Sequence, residues 1–281
     1  MSKLTPLATT VRGSGPTVVL LHGFAQDGRS MADLQDRLCA GFRTVAVDLP
    51  GHGRSLGIAA ASYVEETLAA LSELLDRLEV AQAALVGYSF GARLAARAAL
   101  DQPRRWWALV LESMSLALPD SQRQDRLAAD LALAAQMSRD SISAFVARWE
   151  TQSVFASQRR LPASRLAAQR RIRMGQDPIG LAEALAGGGQ ARTGLSTEQL
   201  AGLAVPTLVL AGREDQTYVS QLERLVAAIP KAEGAVVSGA GHNLHLEAPA
   251  EAAEAIWTFL RQVMTPRPDD QIRVSDQRRV R

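Results

Sequence analysis

The sequence has no long apolar run and contains only one cysteine. No segment approaches the roughly 20 apolar residues that a membrane-spanning helix needs, and the first residues lack the apolar core of a secretory signal. The single cysteine, Cys39, excludes an internal disulfide, and its position in a helical pattern predicts a buried thiol. We therefore expect a cytoplasmic protein with no integral membrane segment.

The sequence also lacks a large excess of positive or negative charge, and it lacks motifs that bind cofactors. The formal net charge is only +2, which gives no reason to expect a nucleic-acid partner. The four histidines show no metal-ligand spacing, and the chain contains no G-x-G-x-x-G loop for a nucleotide. We therefore expect no metal, no cofactor and no nucleic acid, while the oligomeric state stays open.

Apolar runs alternate with helical patterns along most of the 281 residues, a length sufficient for one large α/β domain or two small ones. Continuous apolar runs are typical of strands buried on both faces of a sheet. They occur at residues 17–21, 44–47, 83–86, 108–111 and 207–210. Repeated strand–helix units predict an α/β fold with a mostly parallel sheet and helices on both faces.

The alternation stops at residues 120–197, which have a helical pattern rich in Ala, Arg and Gln. A helical insertion in a parallel sheet is expected to form a lid over the carboxyl ends of the strands, where ligands bind. We expect the glycine run at residues 187–189 to make this lid mobile. The rest of the chain divides into an α/β core, residues 1–119 and 198–264, and a tail, residues 265–281, whose composition predicts disorder.

The pattern Gly87-x-Ser89-x-Gly91 lies where an apolar run ends and a helix-forming run begins. This strand–turn–helix context needs small residues, because the chain turns sharply and the backbone around the serine must stay clear. The serine hydroxyl then projects from a strained turn, and the N-terminus of the following helix favours developing negative charge. This stretch predicts that Ser89 is a nucleophile or base.

Asp215 and His242 complete a predicted catalytic triad. Each lies in a loop just after a predicted strand, so both can meet Ser89 at the carboxyl edge of the sheet. A serine hydroxyl needs an imidazole to take its proton, and the imidazole needs a carboxylate to fix its tautomer. Glu112, also at a strand end, is the competing acid. Asp215 is preferred because its loop is nearer to His242 in sequence.

The backbone N–H groups of Phe24 and Phe90 are the predicted oxyanion hole. Phe90 follows the predicted nucleophile, and Phe24 follows a His-Gly pair at the end of another predicted strand. We expect His22 and His52 to brace their loops. His245 either supports the site or packs at the start of a helix.

These motifs resemble the α/β-hydrolase superfamily along the chain to about residue 263. Within it, the chain resembles the MenH group, the 2-succinyl-6-hydroxy-2,4-cyclohexadiene-1-carboxylate synthases of menaquinone biosynthesis. The stretches that carry the resemblance are His22-Gly23-Phe24, residues 48–53, residues 87–93, residues 111–113, Arg126 with Asp130, residues 148–157, and Arg173 with residues 180–182. Arg93 and the lid segment at residues 149–157 are its most specific parts.

The resemblance implies a lyase that uses the Ser-His-Asp triad as a base. Members of the group remove an α-proton from 2-succinyl-5-enolpyruvyl-6-hydroxy-3-cyclohexene-1-carboxylate and expel pyruvate. The resemblance also implies substrate-binding positions, which are Tyr88, Arg93, Arg126, Trp149 and Arg173. The arginines suit a small polycarboxylate substrate, because a guanidinium makes bidentate, charge-assisted contacts with a carboxylate.

Two other functions stay open at this point. A carboxylesterase or carbon–carbon bond hydrolase of the same fold would use the same three residues through an acyl-enzyme. A neutral ester needs no cationic pocket, so the arginines distinguish this alternative from the lyase. The third alternative, a non-catalytic ligand-binding protein, would leave an intact Ser, Asp and His set without a use.

Overall fold

A seven-stranded sheet occupies the centre of residues 6–264, the part of the chain that the computed structural model describes. The strands are β1 (Thr9–Arg12), β2 (Thr17–Leu21), β3 (Arg43–Val47), β4 (Ala83–Tyr88), β5 (Trp106–Glu112), β6 (Thr207–Gly212) and β7 (Ala232–Val237). They lie in the order β1-β3-β2-β4-β5-β6-β7, and each neighbouring pair is parallel except β1 with β3. The predicted mostly parallel sheet is therefore confirmed.

Helices connect these strands and cover the sheet. Within the described residues they are α1 (Ala32–Leu38), α2 (Tyr63–Arg77), α3 (Phe90–Asp101), α4 (Asp120–Met137), α5 (Ile142–Trp149), α6 (Ala163–Met174), α7 (Pro178–Gly188), α8 (Gln190–Thr193), α9 (Thr197–Leu200), α10 (Gln216–Ala228), α11 (Leu244–Glu247) and α12 (Pro249–Met264). Short 3₁₀ helices span Gly28–Met31, Ala60–Ser62, Pro103–Arg105 and Ser153–Arg160.

Both faces of the sheet are covered because its central strands are apolar on both sides. All five residues of β2 are buried. Val19 and Leu21 pack in the core that α2 and α3 share, whereas Val18 and Leu20 pack in the core beneath α1 and α12. Successive strand residues point to opposite faces, so one continuous apolar run contributes to two cores. The predicted arrangement of helices on both faces is confirmed.

Helices α4 to α8 and the 3₁₀ segment Ser153–Arg160 occupy the residues of the predicted lid. The lid has a small core of its own, in which Phe145 of α5 packs with Leu181 and Leu185 of α7. Ala25, from the loop after β2, belongs to the same cluster. The lid is therefore packed against the α/β core at this point.

The glycine run of the lid lies at the end of α7, where only Gly189 separates it from α8, and its residues are tightly packed. A Cβ atom on Gly188 would lie 2.6 Å from Cζ of Phe90. Another close approach joins α7 to the core, since a Cβ atom on Gly180 would lie 2.7 Å from the carbonyl oxygen of Gly51. Gly188 thus makes room for a core side chain, and Gly180 allows the two backbones to touch. The mobility of the lid stays a prediction.

Cys39 is half-buried, so the prediction of a buried thiol is wrong. It follows the last residue of α1 as the C-cap, where the side chain is no longer held against the sheet. Its thiol donates to the carbonyl oxygen of Asp36 at 3.3 Å. Within residues 6–264, no helix is both long enough and apolar enough to cross a bilayer. The predicted disorder of residues 265–281 concerns a part of the chain outside the described residues.

Candidate active site

Ser89 lies on the sharp turn between β4 and α3. Its φ is 51°, in the left-handed region that residues with a Cβ atom rarely occupy. A Cβ atom on Gly87 would lie 2.5 Å from the carbonyl oxygen of Gly91, and one on Gly91 would lie 2.6 Å from that of Leu21. Both glycines are required for α3 to begin directly against β2 and β4. The turn therefore holds the serine side chain at the carboxyl edge of the sheet.

His242 hydrogen-bonds both of its predicted partners. Its Nε2 lies 3.0 Å from Ser89 Oγ, and its Nδ1 lies 3.0 Å from Asp215 Oδ2. The other carboxylate oxygen of Asp215 accepts the N–H of Tyr218 at 3.3 Å, so the same side chain caps α10. The three side chains thus have the geometry of a Ser-His-Asp triad, in which the carboxylate orients the imidazole toward the serine.

The end of β5 holds the loop that carries His242. Ser113 Oγ donates to the His242 carbonyl oxygen at 2.7 Å, and the Glu112 carbonyl oxygen accepts the N–H of Ser89 at 2.8 Å. The Glu112 side chain is fully buried and contacts His245, with 2.8 Å between Oε2 and Nδ1. The competing acid therefore ties the serine turn to the histidine loop and does not contact the imidazole of His242.

The predicted oxyanion-hole residues border Ser89 from two directions. Phe90 is the first residue of α3, so its N–H has no partner within the helix. Phe24 follows β2 in a loop that His22 braces. His22 Nε2 accepts the N–H of Leu49 at 3.0 Å, and its Nδ1 donates to the next residue's carbonyl oxygen at 2.8 Å. Burial lowers the pKa of His22, in agreement with this neutral, bonded imidazole.

His52 lies behind the same two phenylalanines. Its ring centroid is 5.6 Å from that of Phe24 and 5.8 Å from that of Phe90. Burial, together with the neighbouring His22, lowers the pKa of His52 to about 3. Nδ1 donates to the carbonyl oxygen of Pro50 at 3.0 Å. His52 is therefore neutral at physiological pH and acts as a packing residue behind the phenylalanine pair.

A cavity of about 190 Å³ opens between the lid and the carboxyl edge of the sheet. It is lined by nine of the ten residues predicted for the site, which are Phe24, Tyr88, Ser89, Phe90, Arg93, Arg126, Trp149, Arg173 and His242. The tenth, Asp215, lies behind His242. Within residues 6–264, no group of three or more His, Cys, Asp or Glu side chains is arranged to hold a metal ion.

Two of the three arginines at this cavity are ion-paired within the lid. Arg126 Nε lies 2.8 Å from Asp130 Oδ1, and Arg173 Nη1 lies 3.1 Å from Glu150 Oε1. Burial raises the pKa of Asp130, and the Arg126 charge opposes this effect. Arg173 is almost fully buried, and its guanidinium lies 5.1 Å from the ring centroid of Phe155. These pairs compensate the two charges in part and direct both side chains toward the cavity.

Arg93 differs because it has no carboxylate partner. It is 7% exposed, and its Nε donates to a neutral group, Thr193 Oγ1, at 2.8 Å. No carboxylate of residues 6–264 lies within ion-pair distance of its guanidinium. Burial lowers the pKa of Arg93 to about 10, and the nearby Arg126 also lowers it. The guanidinium is thus still charged at neutral pH, and an unpaired buried charge is costly unless an anion binds beside it.

Aromatic side chains complete the walls of the cavity. The ring centroids of Tyr218 and Tyr88 lie 4.5 Å and 5.5 Å from that of His242. Burial raises the pKa of both tyrosines, so both keep their hydroxyl protons at neutral pH. Trp149 contacts Phe24, with ring centroids 5.2 Å apart, and its buried indole N–H has no hydrogen-bond partner among the described residues.

Sequence reasoning missed several residues that line the cavity. They are Gln26, Gln152, Leu185, Gln190 and Tyr218. Tyr218 carries a usable signal, because it lies three residues after the acid loop and therefore in the first turn of the next helix. The lid residues in this set follow no local pattern, since only the folding of the lid over the sheet brings them to the cavity.

The chain matches the family model of the alpha/beta hydrolase fold over residues 16–249. It is 33% identical over 260 residues to the 2-succinyl-6-hydroxy-2,4-cyclohexadiene-1-carboxylate synthase of Serratia proteamaculans, with 90% of this chain and 98% of that protein covered. Among solved structures it is similar to MenH from S. aureus, with a TM-score of 0.87, 27% identity and coverage of 92% and 99%. It is also similar to a malate-bound thermophilic esterase from Thermogutta terrifontis, with a TM-score of 0.82, 27% identity and coverage of 92% and 94%. The chain therefore belongs to the α/β-hydrolase family, and within it the chain resembles MenH.

Proposed function

We propose that the protein is a lyase of menaquinone biosynthesis, which eliminates pyruvate from 2-succinyl-5-enolpyruvyl-6-hydroxy-3-cyclohexene-1-carboxylate. The observation that carries this proposal is Arg93, a buried cation without a carboxylate partner beside Ser89. The substrate has three carboxylates, and a buried guanidinium offers one of them a charge-assisted contact. Arg126 and Arg173 supply further positive charge from the lid.

Ser89, His242 and Asp215 act as the base in this proposal. His242 Nε2 takes the Ser89 hydroxyl proton while Ser89 Oγ removes the proton from the ring carbon that carries the succinyl group. The electron pair left on that carbon forms a ring double bond, the existing double bond shifts by one position, and the carbon–oxygen bond to the enolpyruvyl group breaks. The departing enolate gains a proton on carbon and becomes pyruvate, so the reaction consumes no oxidant or water.

The backbone N–H groups of Phe24 and Phe90 have a defined role in this reaction. The succinyl carbonyl group is adjacent to the carbon that loses its proton, so negative charge develops on the carbonyl oxygen. Two N–H donors directed at that oxygen stabilise the enolate more strongly than the neutral ketone. Asp215 stabilises the imidazolium that forms on His242.

Replacing Arg93 tests the proposal. Arg93→Ala is expected to cost on the order of 2–5 kcal/mol in kcat/KM for the anionic substrate, the range for loss of a buried charge partner. Arg126→Ala is expected to cost less, because its side chain is 42% exposed and solvent screens its charge. The turnover of p-nitrophenyl acetate, which has no carboxylate to bind, should change little. Pyruvate release coupled to lactate dehydrogenase measures the first activity, and nitrophenolate absorbance measures the second.

Arg97→Ala is a matched control. Arg97 lies one turn further along α3 and bonds backbone carbonyl groups of residues 192–194, outside the cavity. Its replacement should leave kcat/KM for the anionic substrate close to the wild-type value. An equal loss for Arg93→Ala and Arg97→Ala would contradict a specific carboxylate contact at Arg93.

Ester hydrolysis through an acyl-enzyme is a second candidate function. The 3.0 Å contact between His242 and Ser89 fits it as well as it fits the lyase, since a serine nucleophile needs this contact as much as a serine base does. Wild-type protein that releases no pyruvate, cleaves the neutral ester rapidly and is unaffected by arginine replacement would sink the lyase proposal. Mass spectrometry of an acylated Ser89 would then identify the esterase.

A further inference from the structure

A second cavity, of about 380 Å³, lies within the lid between the 3₁₀ segment Ser153–Arg160 and α6. We name it the lid cavity. The lining side chains that bear on its role are Phe155, Gln158, Leu166, Ala167, Arg170 and Arg173. The elimination proposed above takes place outside it, so its polar and charged groups other than Arg173 have no role in that chemistry.

Two side chains separate the lid cavity from the catalytic cavity. Phe155 and Arg173 line both, and the Arg173 guanidinium lies over the Phe155 ring at 5.1 Å. Phe155 and Arg173 are therefore walls that the two cavities share.

Two residues that line the lid cavity carry unsatisfied donors. Gln158 Nε2 and Arg173 Nε are buried and have no hydrogen-bond partner among the described residues. Both residues are 4% exposed. A buried polar group without a partner is destabilising, so two such groups beside one cavity require an explanation. Both are donors closed to solvent, and an acceptor in the cavity satisfies them once the lining side chains shift toward it.

The charges around the lid cavity specify an anionic acceptor. Three arginines line it, Arg159, Arg170 and Arg173, against a single carboxylate, Glu150. Glu150 already pairs with Arg170 and Arg173. The lining therefore carries an excess of positive charge. The rest of the wall is apolar, formed by Phe155, Leu166 and Ala167, which suits a short carbon chain.

We propose that the lid cavity is a second binding site, which takes a small monocarboxylate with a short apolar chain. The carboxylate accepts from Gln158 and Arg173, and its chain packs against Phe155 and Leu166. Because the two cavities share Phe155 and Arg173, a 2-oxo acid released beside Ser89 passes through the lid cavity on its way to solvent once these two side chains move aside. The exit role rests on the proposed function, whereas carboxylate binding does not.

Titration of the Ser89→Ala protein with pyruvate tests the binding step in the absence of turnover. We expect NMR shifts of the Gln158 side-chain amide and the Phe155 backbone amide. Propionate should produce the same shifts, and uncharged methyl pyruvate should not. Shifts confined to the surroundings of Arg93, or equal binding of methyl pyruvate, would overturn the proposal.

Replacements on the lid identify the site by its own residues. Gln158→Leu should weaken pyruvate binding by about fivefold or more, the effect of losing one buried hydrogen bond. Arg171→Ala, at an exposed neighbour on α6 that does not line the lid cavity, should change it by less than about twofold, as expected of an exposed charge. Equal losses with Arg171→Ala would show non-specific attraction to a basic helix and overturn the site. The Tm of Gln158→Leu should not fall, because leucine removes a donor that has no acceptor.

The exit role needs a separate measurement. Leu166→Trp fills the lid cavity and should lower kcat for pyruvate release by about tenfold, the scale of a slowed product-release step, while p-nitrophenyl acetate turnover stays near wild type. If Leu166→Trp abolishes pyruvate binding and leaves kcat unchanged, the exit role is overturned and the site takes carboxylates from solution. A wild-type protein that binds pyruvate in the lid cavity but never releases it from substrate would sink the lyase proposal and support the binding site.

Discussion

Two imidazole–carboxylate pairs contact the ring of Tyr88, and they differ in their surroundings. One pair is His242 with Asp215, and the other is His245 with Glu112. The Tyr88 ring centroid lies 5.5 Å from the first imidazole and 5.0 Å from the second. The distances from Nδ1 to the carboxylate are also similar, 3.0 Å and 2.8 Å. The hydrogen bond itself therefore does not distinguish the pairs.

The difference lies at the opposite nitrogen of each ring. Nε2 of His242 meets Ser89 Oγ at a cavity wall, whereas Nε2 of His245 is buried and has no partner among residues 6–264. The side chain of Asp215 is 13% exposed, and that of Glu112 is 0% exposed. One pair can exchange a proton with a ligand, and the other can only hold backbone in place. The surroundings thus suit one pair to the proposed catalytic role and the other to a structural role.

Removal of the imidazoles should produce the largest contrast. His242→Ala is expected to lower kcat by roughly 10³-fold or more, as is Ser89→Ala, because each removes a member of the triad. His245→Ala should retain activity within about tenfold while it lowers the free energy of unfolding, because it leaves a buried cavity and an unpaired carboxylate. Steady-state kinetics and urea unfolding of the three variants check this contrast. A greater loss of activity in His245→Ala than in His242→Ala would reverse the roles of the pairs.

Neutralising the carboxylates should separate activity from stability. Asp215→Asn is expected to lower kcat by roughly 10³–10⁴-fold, because an amide no longer fixes the required imidazole tautomer. Its unfolding free energy should change by less than about 0.5 kcal/mol, because Asn caps a helix about as well as Asp. The two quantities come from initial rates and from denaturant midpoints of the same protein preparation.

Glu112→Gln should show the opposite behaviour. The carboxylate accepts two backbone N–H groups, from Leu244 and His245, as well as the imidazole of His245. Glutamine keeps one acceptor oxygen and presents an NH₂ group on the other side, so a loss of about 1–3 kcal/mol in unfolding free energy is expected. The fall in kcat should stay below about tenfold, since His242 keeps its own acid. If Glu112→Gln reduces activity more than Asp215→Asn does, the assignment of Asp215 as the triad acid is wrong.

Ser113→Ala should give the smallest effect. It removes the hydrogen bond to the His242 carbonyl oxygen, which is worth about 0.5–1.5 kcal/mol. Because Glu112 still holds the following turn, kcat should fall only a few-fold and KM should hardly change. An unchanged kcat together with a raised KM would show that the bond positions substrate and not the imidazole.

The meeting of Ser89, Asp215 and His242 could be predicted from sequence because each follows a strand of the parallel sheet. Ser89 has the strongest local signal, since its two glycines are dictated by backbone contacts within a few residues and with β2. The choice of Asp215 over Glu112 has a weaker basis, namely distance along the chain. The sheet gives the physical reason for this choice. Asp215 follows β6 and His242 follows β7, and these two strands are neighbours in the sheet.

Features that depend on distant segments could not be predicted. The helical pattern of the lid locates Arg173 on α6, but its burial against Phe155 depends on how two lid segments pack together. Tyr218 reaches His242 only because β6 and β7 are adjacent. The glycine run at residues 187–189 predicts mobility from its composition alone, and that composition does not show that Gly187 and Gly188 pack against Tyr63 and Phe90. In each case the sequence identifies the residue and the fold determines its partner.

The contact between Gly180 and Gly51 sets a limit on how the specificity of this protein can be altered. Neither position accepts a side chain without a shift of one backbone against the other, so random substitution there would move the lid as a whole. Substitutions at Trp149 and Phe155 should have a different effect. These side chains line a cavity, so a side chain of another size can replace them while the backbone stays in place. A mutant library aimed at new substrates is therefore best built at Trp149 and Phe155, with the glycine contact held constant.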